Sequence, residues 1–269
     1  MAAIVTVDSV TRLRAEARGA VVVCGSHGAP HSARLAAQAG VRGVVLNDAG
    51  IGMHGAGVAG IAWLDRLGIA ACAIDYRSAR IGDAADMLAA GVVSTVNDTA
   101  ARHGCLPGQT ARLAAECLQA NALATASGSP AAPSADARAK IPSTGHRDVW
   151  ALDSIGLARA TDRRAVLVTG SHGGLLGGKP DGMLEADVFA AFFNDAGGGK
   201  DGAGYARLPE LDRRAIAAAT VDCNSARVGD GRSTYETGVL SRVNAAARRL
   251  ELSEGMTMRE AVARLVGLA

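Results

Sequence analysis

The sequence predicts an internally duplicated α/β protein: two similar halves, each with a mostly parallel sheet flanked by helices, related by pseudo-twofold symmetry. Two observations predict it. Short apolar runs bounded by glycine alternate with helix-like segments, the pattern of βαβ units. One series of short motifs also occurs twice, in the same order.

The elements follow in chain order. An apolar run from Val21 to Cys24 ends at Gly-Ser-His-Gly, and a helix-like segment covers roughly 31–39. A second run, Gly43 to Leu46, ends at Asn-Asp-Ala-Gly, and a second helix-like segment covers roughly 57–67, with Leu64 and Leu67 on one side. A third run, Ile69 to Ile74, ends at Asp75 and leads into Ser-Ala-Arg. The second half writes Val166 to Thr169, Ala190 to Phe193 and Ile216 to Val221 before the same corners, the last at Asp222. Short runs of this kind suit buried parallel strands.

The repetition is collinear. VDSV at 7–10 matches LDSI at 152–155, CGSHG at 24–28 matches TGSHG at 169–173, and NDAG stands at 47–50 and 194–197. GAG at 55–57 recurs at 202–204, SARIGD at 78–83 matches SARVGD at 225–230, and GVVSTVN at 91–97 matches GVLSRVN at 238–244. The offset is 145 residues through the GSHG corner and 147 from NDAG onward, so one small length change separates the halves. The expected organisation is a first repeat over 1–123, an Ala/Ser/Pro linker over 124–145 and a second repeat over 146–269.

Composition excludes several classes. The formal net charge is +2 and no basic stripe carries interleaved aromatics, so nucleic acid is not an expected partner. No apolar run is long enough to span a membrane, and MAAIVTVDSV lacks a basic region followed by an apolar run, so a cytoplasmic protein is expected. The 5 cysteines form no CxxC and suit reduced thiols. The Ala/Gly-rich surfaces suit close packing between halves and in a homo-oligomer.

Parallel strands bring their C-terminal ends to one edge, where ligands of open α/β sheets bind. All three corners of each half are polar, so His27, Asp48 and the segment Ser78–Arg80 should converge, as should His172, Asp195 and Ser225–Arg227. Corners that only cap helices tolerate interchange of Ser, Thr, Asp and Asn, yet these keep residue identity. The expected function is an enzyme acting on a small anionic, carboxylate-type metabolite by acid/base chemistry: a hydrolase of a C–N or C–O bond, a lyase or an isomerase. His172 is the first general-base candidate and His27 its partner. Arg80 and Arg227 would hold the anion, with Asp48 and Asp195 orienting histidine or water. Ser26, Ser171, Ser78, Ser225, Asn97 and Asn244 are candidate substrate contacts.

Differences between the halves add Lys200 and Asp201, which stand where the first half has Met53 and His54, as a candidate acid/base pair. They point to one asymmetric site between the halves. No HxH or HxxxH forces a metal, although two His and two Asp could form a mixed site for a divalent ion. Gly50, Gly52 and Gly55 match GxGxxG, with Asp75 beyond, and Gly197, Gly199 and Gly202 repeat the spacing before Asp222. This resembles a dinucleotide-binding fingerprint and implies an NAD(P)-dependent oxidoreductase as the alternative. Against it, an Asn-Asp pair precedes the first glycine and Pro209 interrupts the second expected helix. A non-catalytic small-molecule binding protein would need the same pocket.

Overall fold

The computed structural model describes residues 3–120, 137–180, 184 and 186–268. The first sheet has the order β1-β2-β3-β4-β5. Its strands are β1 (Ile4–Val7), β2 (Val21–His27), β3 (Gly43–Asn47), β4 (Ala70–Ile74) and β5 (Val93–Val96). The first four run parallel and β5 is antiparallel to β4. The helices α1 (Pro30–Gln38) and α2 (Ala59–Asp65) pack on one face. There Ala33, Ala36, Ile61 and Leu64 meet Val22, Val44, Leu46 and Ala71. On the other face α3 (Ala84–Ala90) and α5 (Ala111–Ala120) bring Met87, Ala115 and Leu118 against Val21, Val23, Val45, Cys72 and Ile74. The short α4 (Asp98–Arg102) follows β5. Alternation along each strand feeds both layers, so the strands read as unbroken apolar runs.

The second sheet runs β11-β10-β9-β8-β7-β6. Its strands are β6 (Arg138–Ile141), β7 (Val149–Leu152), β8 (Val166–His172), β9 (Ala190–Asn194), β10 (Ala217–Val221) and β11 (Leu240–Val243). The strands β7 to β10 are parallel, and the edge strands β6 and β11 are antiparallel to their neighbours. One face is covered by α6 (Arg207–Arg213) through Leu208 and Leu211. The other is covered by α9 (Met258–Gly267), against which α7 (Gly231–Thr237) packs. The short α8 (Ala245–Arg249) follows β11. Where α1 stands in the first sheet, no helix lies between β8 and β9 among the described residues.

Three expectations are corrected. Residues 124–136 of the expected linker lie outside the described residues, but Arg138–Ile141 within it pair as an edge strand on β7. Pro209 does not break the second-half helix: it sits in the first turn of α6, where its missing N–H has no intrahelical acceptor to lose. Each sheet also has more strands than the three predicted.

A bulge shapes the strand ends that carry the polar corners. Between Val23 and His27, β2 advances while β3 moves only from Val45 to Asn47; β8 and β9 do the same between Val168 and His172. The glycine opening each corner is required by close approach. A Cβ on Gly25 would lie 2.7 Å from the Gly82 carbonyl carbon, and one on Gly170 2.2 Å from the Asp230 nitrogen. This is why Gly-Ser-His and Ser-Ala-Arg-x-Gly-Asp recur together: one loop passes directly over the other.

Candidate functional site

Most corner residues hold the backbone of the strand ends. Asn47 Oδ1 accepts from Ala49 N at 2.9 Å, and Asn194 Oδ1 accepts from Ala196 N at 2.9 Å. Asp48 Oδ1 accepts from Gly50 N at 3.1 Å and Tyr76 N at 3.0 Å; Asp195 Oδ1 accepts from Gly197 N and Cys223 N, both at 2.9 Å. Burial raises both carboxyls above their ordinary range, and the backbone N–H groups only partly offset it. Ser78 and Ser225 each donate to the carbonyl three residues back, at 2.7 Å, and accept from Val92 N and Val239 N, both at 2.9 Å. These side chains bond the loop backbone that a packed strand end would otherwise leave unsatisfied.

The two sheets meet at these corners. Met53 N donates to Cys223 O at 2.8 Å and Lys200 N donates to Tyr76 O at 2.9 Å. Ala29, Ala49, Ala56, Ile81, Ala196, Ala203 and Val228 form a small apolar cluster across the contact. His27 and His172 face each other there, ring centroids 6.3 Å apart and edge to face, and His31 stands 6.4 Å beyond His27. Around them lies a cavity of about 30 Å³, lined by Ser26, Ser171, Ser9, Ser154 and Arg207 among others. It has room for about one or two waters.

The hydrogen bonds fix what the paired histidines can do. Gly174 N donates to His172 Nδ1 at 3.1 Å, and Ala29 N donates to His27 Nδ1 at 3.3 Å. Each neutral ring therefore carries its proton on Nε2 and presents a donor, not a base. Ser26 Oγ accepts from Val10 N at 3.1 Å and Ser171 Oγ from Ile155 N at 2.8 Å, tying each bulge to the segment after β1 or β7.

Both rings are held neutral. Burial, with Arg207 nearby, lowers the His172 pKa from 6.5 to about 3; burial, then repulsion from His172 and His31, lowers His27 well below 6.5. Unfolded, both take up protons below about 6.5; folded, they resist until far lower. The His172 contribution is complete above about pH 6.5 and falls as pH drops toward about 3, and His27 acts in the same direction. Urea midpoints should therefore fall between pH 7.5 and pH 5, and His172→Gln should flatten the slope. An unchanged slope in that variant would remove His172 as a contributor.

On either side of the histidines the contact has two unlike flanks. On the first, Arg80 is surrounded by acids: Nε donates to Asp83 at 3.4 Å, Nη1 to Asp201 at 2.9 Å, and Nη2 meets Asp86 at 3.1 Å. Lys200 Nζ donates to the same Asp86 at 2.8 Å. Burial would raise the Asp86 carboxyl, but Lys200 and Arg80 outweigh it and hold it below its ordinary range. The loop after β8 covers this flank, with Gly177 N donating to Gly82 O at 2.7 Å.

The second flank is open. A cavity of about 500 Å³ is lined by His31, His54, Asp153, Arg227, Gly229, Asp230 and Arg232, with Pro30 and several alanines. Arg227 Nε and Nη2 both donate to Asp230 Oδ2, at 3.1 and 2.7 Å, and no described residue takes its Nη1. Ser233 and His54 stand where the first flank has Asp86 and Asp201. Both Asp153 oxygens accept backbone N–H groups, from Gly231 at 3.1 Å and Ala137 at 2.7 Å. His54 sits at φ 55°, a left-handed conformation uncommon outside glycine and asparagine.

The structure thus brings His27, His172, Ser26 and Ser171 together, and places Arg80 and Arg227 on opposite flanks. It does not pair Lys200 with Asp201: Lys200 bonds Asp86 and Asp201 bonds Arg80. Asn97 and Asn244 lie at the opposite sheet edge. Asn97 accepts from Ala71 N and Ala100 N and donates to Ile61 O and Ile69 O; Asn244 accepts from Ala218 N and Ala247 N and donates to Leu208 O and Ile216 O. The expectation that they contact substrate is corrected on that ground. The Gly50–Gly55 loop packs on the second sheet's loops: a Cβ on Gly50 would lie 3.1 Å from Gly197 Cα. Its glycines allow two backbones to touch, which is a different use from cradling a pyrophosphate. Asp195, Asp222 and Cys223 could converge on one ion. Asp195 Oδ1 already takes two N–H groups there, and burial raises the Cys223 thiol to about 12.

The sequence reading passed over His31, Asp153 and Arg232, and noted His54 without a role. The signal available was the mismatch between halves at position 54 and the single occurrence of His31. No protein-family model, curated protein or solved structure matches the chain.

Proposed function

We propose that the chain is an enzyme that holds a small carboxylate-bearing metabolite in the open cavity between the two sheets and acts on it by acid/base chemistry. The observation that carries this reading is the contrast between the two arginines. Arg80 pairs with three carboxylates, whereas Arg227 pairs with one and lines the cavity. A ligand carboxylate on Arg227 Nη1 supplies what Asp201 supplies on Arg80 Nη1. His31 and His54 then flank the ligand as proton-transfer groups. His27 and His172 serve behind them as Nε2 donors, in place of the general-base role expected of His172.

We also propose that the halves are duplicated copies related by a pseudo-twofold axis. The matched bulges, the paired bonds Met53–Cys223 and Lys200–Tyr76, and the left-handed residues His54 and Asp201 at equivalent positions support this. On this reading one copy of the site became structural and the other stayed open.

The test is calorimetric titration with a panel of small carboxylates. A compound that binds the wild type should bind Arg227→Gln about ten- to a hundredfold more weakly, the range for a lost charge-assisted hydrogen bond. Arg80→Gln should keep its affinity. Equal losses in both variants, or a loss in Arg80→Gln alone, would contradict the assignment.

A further inference from the structure

The inner cavity at the contact between the two sheets has a chemistry of its own. His27 and His172 both line it, and neither lines the outer cavity. They are 5% and 9% exposed, and each ring turns Nδ1 to a backbone donor, Ala29 N or Gly174 N. Ser32 gives its hydroxyl proton to His27 Nδ1 as well, at 3.3 Å. Each Nε2 therefore carries a proton, and no described residue accepts it. Two buried N–H groups left so on one small space call for an acceptor there.

The rest of the wall is built the same way. Ser26 Oγ accepts from Val10 N, Ser171 Oγ from Ile155 N and Ser154 Oγ from Gly156 N. With a backbone N–H already on the oxygen, each hydroxyl has its proton left to turn inward. Arg207 lies in the lining too, and among the described residues no carboxylate does. Its charge reaches the site, since it helps to depress the His172 pKa.

Size and proton count select the occupant. About 30 Å³ excludes a carboxylate-bearing metabolite and admits one or two waters or a single halide-sized ion. A water would bring two protons of its own to a wall that already offers protons, and an anion brings none. The rings stand edge to face with centroids 6.3 Å apart, so one atom between them can touch both.

We infer that this cavity binds one small monovalent anion of chloride size between His27 Nε2 and His172 Nε2, beside Ser26, Ser171 and Arg207. Each half supplies one histidine and one serine from its Gly-Ser-His corner, so the anion ties the two sheets together. The inference does not depend on the carboxylate reading, which concerns the outer cavity.

The experiment titrates sodium chloride into the full chain and reads the imidazole N–H resonances of both histidines. Sodium gluconate, whose anion is too large for the cavity, holds the ionic strength constant. Both Nε2–H signals should move along one saturable curve with one midpoint. In His172→Asn the amide oxygen still accepts from Gly174 N but the Nε2 donor is gone, so chloride should bind about ten- to a hundredfold more weakly, the range for a hydrogen bond to a charged group. Where that variant does not fold, crystals of the wild type grown in sodium bromide give the second reading: an anomalous peak between the two rings. No saturable shift even at molar chloride, movement of one ring alone, unchanged affinity in a folded His172→Asn, or bromide found only elsewhere would each overturn the inference.

Discussion

Replacing Asn244 with alanine should lower folding stability by about 3–4 kcal/mol without changing ligand affinity in the folded protein. The loss of an N-cap contributes about 1 kcal/mol, here at the start of α8. The rest comes from stranded buried groups. Asn244 is 7% exposed and joins Ala218 N and Ile216 O, at the base of β10, to α8 and to the end of Leu208 in α6. Alanine removes the side-chain partner of Ala218 N and Ile216 O, at about 1 kcal/mol or more each. Asn97→Ala should behave alike at the base of β4, where the bonds have the same pattern. Losses under about 1 kcal/mol in urea titrations would show that water or rearrangement replaces the side chain. A change in carboxylate affinity would place these residues nearer the site than the geometry does.

Replacing His31 with alanine should lower turnover of a carboxylate substrate by about a hundredfold or more, the usual contribution of a positioned acid or base. His31 lines both the outer cavity and the inner one around His27 and His172. It lies in the first turn of α1, where alanine costs the helix little. His54→Asn is the companion variant, since asparagine accepts the left-handed conformation found at φ 55°. Retained turnover in both variants would remove histidine proton transfer from the account. Tight binding with no turnover in the wild type would make the chain a binding protein built on the same cavity.

The strands that were legible are those buried on both faces. The strands β2, β3, β4, β8, β9 and β10 are apolar runs ending at glycine-rich corners, and each is buried along its length but for Ser171. Edge strands escaped notice because they alternate or carry charge: β5 reads Val-Ser-Thr-Val, β11 Leu-Ser-Arg-Val and β6 Arg-Ala-Lys-Ile. The repeated polar corners did mark the edge at which the two sheets meet, but identity between halves was not in itself a sign of ligand contact. An asparagine that must accept from two N–H groups and donate to two carbonyls is as hard to replace as a catalytic one, as Asn97 and Asn244 show. The candidate site emerges where the halves disagree, at His54 against Asp201 and at Ser233 against Asp86, and only the folded arrangement shows which arginine is left with one carboxylate.

The most direct measurement of the central claim is a crystal structure of the protein with a bound carboxylate from the titration panel. The account predicts the carboxylate against the Arg227 guanidinium, with the rest of the ligand beside Gly229 and within reach of His31. A ligand seated at Arg80, with the Leu175–Gly177 segment displaced, or one lying along the Gly50–Gly55 loop, would contradict it.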